Sequence, residues 1–363
     1  MFTLLIFLFV IAVLVVSHEF GHFLAAKWRG MQVDEFGFGF PPRLFGKKIG
    51  ETIYSFNAIP FGGFVRILGE DDSTGIDGNP RSFASRKPWE RFLVLVAGVG
   101  MNFVSAYLLF TTIHAMGIPT ALEEKDISLA TNVNVEIVGV APNSPAESVG
   151  FHVGDALKRL EVPGHAVDVF KIPDVQTFIE RHAGESVTIT LQRNENTITY
   201  QAVPRRNPPP EEGSLGIQMA HIGIIASSWY KAPWDGLTTT LFITKEVTFG
   251  LGMFFFKLFR VVFMEDVAGP VGIAQIAGQA HAMGIVYLLQ LVALLSINLA
   301  VLNLLPIPAL DGGRVFFLCI EKIRGGIPVN AHISQYAHSI GFVVLILCML
   351  FVTYRDIVRW IGW

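Results

Sequence analysis

An apolar run from Phe2 to Val16 opens the chain, and past His18, Glu19 and His22 it resumes over Phe23 to Ala26. At about 1.5 Å per residue this predicts one helix of bilayer thickness. No basic residue lies between Met1 and the run, and no small-residue cleavage pattern follows it, so a retained span is expected rather than a cleaved signal peptide. The whole chain agrees: 52% of its residues are hydrophobic and 16% charged, against about 25% charged in a soluble domain. A soluble globule and a disordered chain are both excluded. The net charge of −3 offers no basic field for nucleic acid. Two cysteines, Cys319 and Cys348, exclude a disulfide scaffold and a cysteine-rich metal cluster.

The remaining pattern predicts a polytopic α-helical membrane protein with four transmembrane helices. Phe92–Gly117 is the second span, and its Gly98, Gly100 and Asn102 allow close helix contact. Ile285–Leu305 is the third, and Ile340–Val352, extended back towards His332, is the fourth. Between the first two, alternating segments near Ile49–Phe56 and Gly62–Leu68 read as short strands or hairpins, followed by an exposed acidic loop over Gly69–Pro80. Residues 130–205 recover charge and strand-length runs, which predicts a small α+β domain. Val247–Phe256 is too short to cross and is closely flanked by charge, so an amphipathic helix at the interface is expected there. The predicted organisation is 1–118 (two spans with the hairpin region), 130–205 (the α+β domain), 206–282 (linker and interfacial helix) and 283–363 (the last two spans).

His18-Glu19-Phe20-Gly21-His22 carries the chemistry. Residues four apart share a helix face, so two imidazoles can bind one Zn²⁺. Glu19 is turned about 100° away and can accept a proton from a metal-bound water without ligating the ion. Three ionisable side chains on an apolar helix are costly unless they function. Asp311, in Asn303-Leu-Leu-Pro-Ile-Pro-Ala-Leu-Asp311-Gly-Gly313, is the best third ligand. Pro306 and Pro308 break the helix there, as irregular backbone lining a membrane cavity would. First and third spans run the same way, so their ends can share an ion. The basic residues between spans one and two, and Arg314, Lys322 and Arg324 after span three, place both loops in the cytoplasm. The sequence names no side chain that would hold the candidate ligands from behind, and His281, His332 and His338 read as interfacial.

These motifs together resemble the site-2 protease family (M50) of intramembrane zinc metalloproteases, most closely the bacterial regulator of sigma-E protease group. Ala141-Pro-Asn-Ser-Pro-Ala-Glu-Ser-Val-Gly150 with Gly154-Asp155 resembles a circularly permuted PDZ domain, here single where many members of the group carry two. Gly37-Phe38-Gly39 resembles the family's membrane-associated β-hairpin loop, Gly98–Asn102 its second-helix motif, and Gly269-Pro-Val-Gly-Ile273 the segment before its third span. The resemblance implies Zn²⁺ held by His18, His22 and Asp311, with Glu19 as catalytic base. It implies a bacterial inner-membrane protein, embedded in lipid, with its PDZ-like domain on the periplasmic side and its metal site towards the cytoplasm. The implied substrate is a single-span membrane protein, such as a pre-trimmed anti-sigma factor or a remnant signal peptide, cut second in regulated intramembrane proteolysis. Asn303, Gly37, Gly39 and Asn102 are candidate substrate-binding residues.

Two other classes remain open on sequence. A PDZ-bearing membrane scaffold with a structural metal would need a fourth protein ligand and no adjacent base. A metal-dependent transporter would show paired broken helices, where this chain has one.

Overall fold

The computed structural model describes residues 2–70, 79–122, 127, 130–193, 196–209, 212–258, 269–327 and 329–361. The expected loop at 69–80 falls mostly outside them. The chain divides into two compact units, one made of residues 1–111, 233–281 and 287–363, the other of 112–232 with 282–286.

In the first unit, α1 (Phe2–Trp28) is a single helix of 27 residues. It leads into β1 (Val33–Ile49) and β2 (Thr52–Ile67). The expectation of short strands or hairpins is half right. The segment Ile49–Phe56 contains the turn itself, because Gly50 takes φ +63 there. Both strands are long and bend. The first half of β1 pairs on one side with Ile53–Phe56 and on the other with Gly63–Arg66. The second half of β1, Arg43–Ile49, covers the outer side of Thr52–Asn57. Four segments therefore lie side by side, and Gly63–Ile67 forms an edge. Hydrogen bonds from Lys27 and Arg81 fasten the turn residue Glu51 and hold its carboxyl below the usual range.

Next come α2 (Pro88–Met116), α5 (Ala232–Leu258), α6 (Pro270–Met283), α7 (Ile285–Leu304), α8 (Asp311–Ile323) and α9 (Ala331–Ile361), with the strands and short helices of the second unit between α2 and α5 in the sequence. Among the described residues, four helices are long and apolar enough to cross a membrane: Thr3–Trp28, Pro88–Met116, Ile285–Leu304 and His332–Val358. These are the four predicted spans. Where a short interfacial helix was expected over Val247–Phe256, the structure has a 27-residue helix, since α5 begins at Ala232. Along it Thr240, Thr244 and Thr248 each turn a hydroxyl back to the carbonyl four residues earlier, which satisfies those groups without water. Helix α8 was not foreseen.

Small residues let the helices meet. A Cβ on Gly21 of α1 would lie 2.3 Å from the Ala97 carbonyl oxygen of α2. Val10 and Leu14 of α1 pack on Leu288 and Val292 of α7. Ala25, Ala26, Val33, Ile67, Val94 and Leu318 form a second cluster joining α1, the bent sheet, α2 and α8.

The second unit contains β3 (Ile118–Ala121), β4 (Thr131–Val140), α3 (Pro145–Val149), β5 (Ala156–Val162), β6 (His165–Asp168), α4 (Ile172–Arg181), β7 (Val187–Arg193), β8 (Asn196–Ala202) and β9 (Ile217–Ile225). The sheet runs β3-β9-β4-β5-β7-β8, with β6 against β5, and every pairing is antiparallel. β9 arises in a stretch that the sequence presented as linker, and it pairs between β3 and β4. Its residues alternate weakly, with Gly223 alone buried, which hides the strand period. Alternation in β7 buries Val187, Ile189 and Leu191, against which Val175, Phe178 and Ile179 of α4 pack at helical spacing. Asp155 is 1% exposed. It accepts from Arg193 at 2.6 and 2.7 Å, so the buried charge is matched by a two-pronged partner.

Candidate metal centre

The α-helical turn of α1 brings His18 and His22 together, and both are nearly buried at 8% and 9% exposure. Their Nε2 atoms stand 3.2 Å apart. Asp311 Oδ2 lies 3.0 Å from His18 Nε2 and 3.3 Å from His22 Nε2. Two residues of the first span thus meet one from nearly three hundred positions later.

The local backbone explains why Asp311 arrives there. α7 ends at Leu304, and Pro306 and Pro308 lack the N–H needed to continue it. Ala309 takes φ +81, which is uncommon for an L-residue, and α8 starts two residues later with Asp311 in its first turn. Gly312 and Gly313 follow because the returning chain is too close for side chains. A Cβ at Gly312 would sit 2.1 Å from the Leu305 carbonyl oxygen, and one at Gly313 2.4 Å from that of Ile307. Asp311 also meets the positive end of the α8 dipole, which favours its ionised form.

Both imidazoles are held from behind. His22 Nδ1 lies 2.8 Å from the Val94 carbonyl oxygen of α2. A carbonyl only accepts, so Nδ1 carries the hydrogen and the Nε2 lone pair faces His18 and Asp311. His18 Nδ1 faces the Asn102 amide at 3.2 Å, and Asn102 Oδ1 is buried without a hydrogen-bond partner. Exchanging the amide nitrogen and oxygen resolves both facts, since Oδ1 then accepts from His18 Nδ1. Asn102 is fully buried, and its own carbonyl oxygen accepts from Ser296 of α7 at 2.9 Å. Sequence reading grouped it with substrate; its position is behind His18. That was missed because a helix residue 84 positions away gives no periodic sign of facing a histidine.

Three lone-pair atoms crowded this tightly repel one another unless a cation lies between them. Asp311 Oδ2 is itself buried and makes no well-formed hydrogen bond. A tetrahedral ion with Zn–N near 2.0–2.1 Å spaces its ligand atoms about 3.3 Å apart, which the three observed separations approach. Two nitrogens, one oxygen and back-bonded Nδ1 atoms fit zinc.

Glu19 lies beside this triad, its side chain close to Gly63 of β2. With His22 and Asp311 it lines a cavity of about 560 Å³, whose other walls include Gly63–Val65, Ala309 and His338. Asn303 is nearby, its amide nitrogen 3.5 Å from His18 Nε2. Gly37 and Gly39 lie in the inner segment of β1, where Asn57 donates to the Gly39 carbonyl oxygen. The strand bordering the cavity is Gly63–Ile67 instead. His338, read as interfacial, accepts from the Ala309 N–H at 2.8 Å.

Comparison with known proteins gives the same picture. Residues 6–348 match the model of peptidase family M50. The chain is 33% identical to "Putative zinc metalloprotease CPE1693" of Clostridium perfringens, covering 95% of each chain. It is 32% identical to "Putative zinc metalloprotease BR1156/BS1330_I1152" of Brucella suis, over 98% of this chain and 95% of that one. It is 28% identical to "Zinc metalloprotease RasP" of Geobacillus kaustophilus, over 97% and 96% respectively. A family match over nearly the whole length, joined to this donor set in a chain with membrane-capable helices, places the chain in peptidase family M50.

Proposed function

We propose that this protein is an intramembrane zinc metalloprotease that cuts the transmembrane segment of a single-span substrate. The observation that carries the reading is the approach of Asp311 Oδ2 to both imidazoles at 3.0 and 3.3 Å. His18, His22 and Asp311 hold Zn²⁺. When bound, the ion acidifies a water and polarises a carbonyl. Glu19 takes the water proton and delivers it to the leaving amine, while the hydroxyl oxygen bonds to the carbonyl carbon and the C–N bond breaks.

A substrate helix hides its peptide bonds in its own i to i−4 ladder and must unwind first. The Gly63–Ile67 edge supplies backbone groups that an unwound segment can pair with as an added strand. Gly37 supports that edge from the adjoining strand, and Gly39, Asn102 and Asn303 stay candidate substrate contacts, Asn303 from beside His18. Suitable substrates are trimmed anti-sigma factors and remnant signal peptides, consistent with a second cut in regulated intramembrane proteolysis.

The second unit acts as a PDZ-like domain on the periplasmic side of a bacterial inner membrane. Its antiparallel sheet with two helices, and the Ser144–Gly150 turn before Asp155, support that reading. Its role is to capture peptide termini or to screen out bulky outer portions of substrates.

Glu19→Gln tests the assignment in a reconstituted assay with a single-span substrate. Loss of at least a hundredfold in kcat, with bound zinc unchanged, is expected. Undiminished cleavage would refute Glu19 as the base.

A further inference from the structure

We propose that His338 of α9 is a positioning residue for the Asp311 carboxylate. The inference rests on Asp311 being a zinc ligand. Among the described residues helix α9 gives no donor to the metal site, yet it grips the turn that delivers one. His338 Nδ1 accepts from the Ala309 N–H at 2.8 Å, at the one L-residue in this turn with positive φ, +81. One helical turn further, Gly341 admits the neighbouring carbonyl: a Cβ there would lie 2.4 Å from Pro308 O. His338 and Gly341 share a face of α9, so the helix holds both ends of the Pro308–Ala309 peptide plane. The Phe317 ring of α8 packs on His338 with centroids 5.5 Å apart, fixing the body of the helix that Asp311 begins.

The turn needs such a hold. Pro306 and Pro308 offer no backbone donors, and a left-handed Ala is strained. An unpaired N–H at membrane depth carries a large penalty. Without an acceptor at position 338 the peptide has every reason to rotate, and the rotation moves a chain only two residues from Asp311. Since Nδ1 accepts, the neutral imidazole carries its hydrogen on Nε2. What position 338 must supply is therefore an acceptor at the Nδ1 site. Asn places its Oδ1 close to that point, whereas Leu fills similar volume with none.

The experiment compares the full-length protein with His338→Leu, His338→Asn and Asp311→Asn. It measures zinc transfer to a chromogenic chelator, and kcat and KM on a single-span substrate. His338→Leu should release zinc about tenfold faster and lower kcat about 10–100-fold, as loss of a support behind a metal ligand does, with KM within about twofold. His338→Asn should recover most of both. Unchanged zinc release in His338→Leu, or equal defects in the Leu and Asn variants, overturns the proposal. If His338→Leu does not fold, His338→Asn still decides: a zinc release rate like that of wild type supports the proposal and a release tenfold faster overturns it. Asp311→Asn separates the two ideas. If it keeps zinc as wild type does, the ligand assignment itself has failed; if it loses zinc while His338→Leu does not, only the positioning role has failed.

Discussion

Gly98 shows how little room the centre allows. A Cβ at this position would lie 2.3 Å from His22 Nε2 and 2.8 Å from His18 Cε1. Neither ring can retreat, because each Nδ1 is already engaged on α2. Gly98→Ala should therefore lower zinc occupancy and activity together by at least tenfold, a size typical of disturbing the groups behind metal ligands. Metal content of the purified variant checks it, and full occupancy with normal turnover would contradict the described packing. At this scale the sequence displays what is local. His18, Glu19 and His22 are spaced by one helix, so their shared face follows from the period alone. Asp311 was found through the prolines and glycines around it. Asn102 and His338 were not, because their partners lie on other helices and no sequence period encodes a tertiary contact.

At the scale of elements, the four spans were legible because length and apolarity decide them. Helix α8 was not, because Pro306, Pro308 and Gly312-Gly313 read as a break, and the break is only the turn before a new helix. The bent sheet was read as short strands or hairpins, since Gly39, Gly46, Gly50, Gly62 and Gly63 interrupt the alternation by which strands are recognised. In the second unit the helix α3 is capped at Ser144, whose Oγ accepts from the Glu147 N–H, and ends at the left-handed Gly150. Arg193 ties this segment to the sheet, donating to Asp155 and to the Gly150 carbonyl oxygen. Arg193→Leu leaves Asp155 charged, buried and without its cation. The cost should be about 3–5 kcal/mol, somewhat less because the arginine is partly exposed. Denaturant unfolding of the full chain, followed by hydrogen exchange at β5 and β7, measures it. A change under about 1 kcal/mol would mean that the pair is solvated.

At the scale of the whole molecule, orientation rests on charge. Lys27, Arg29, Lys47, Lys48 and their neighbours crowd the segment between the first two spans, and we propose that this charge holds that face in the cytoplasm. In a background lacking the two exposed cysteines, Cys319 and Cys348, single cysteines at Asn143 and Lys47 should label differently with a membrane-impermeant thiol reagent. The first should react in intact spheroplasts and the second only after permeabilisation. The reverse result would invert the arrangement and put the second unit in the cytoplasm. The central claim, that three distant side chains share one ion, is tested most directly by X-ray absorption at the zinc edge on the purified protein. Two imidazole nitrogens and oxygen donors near 2.0–2.1 Å are expected, with the zinc lost in Asp311→Asn. A zinc site containing sulfur, or one unchanged by that substitution, would contradict it.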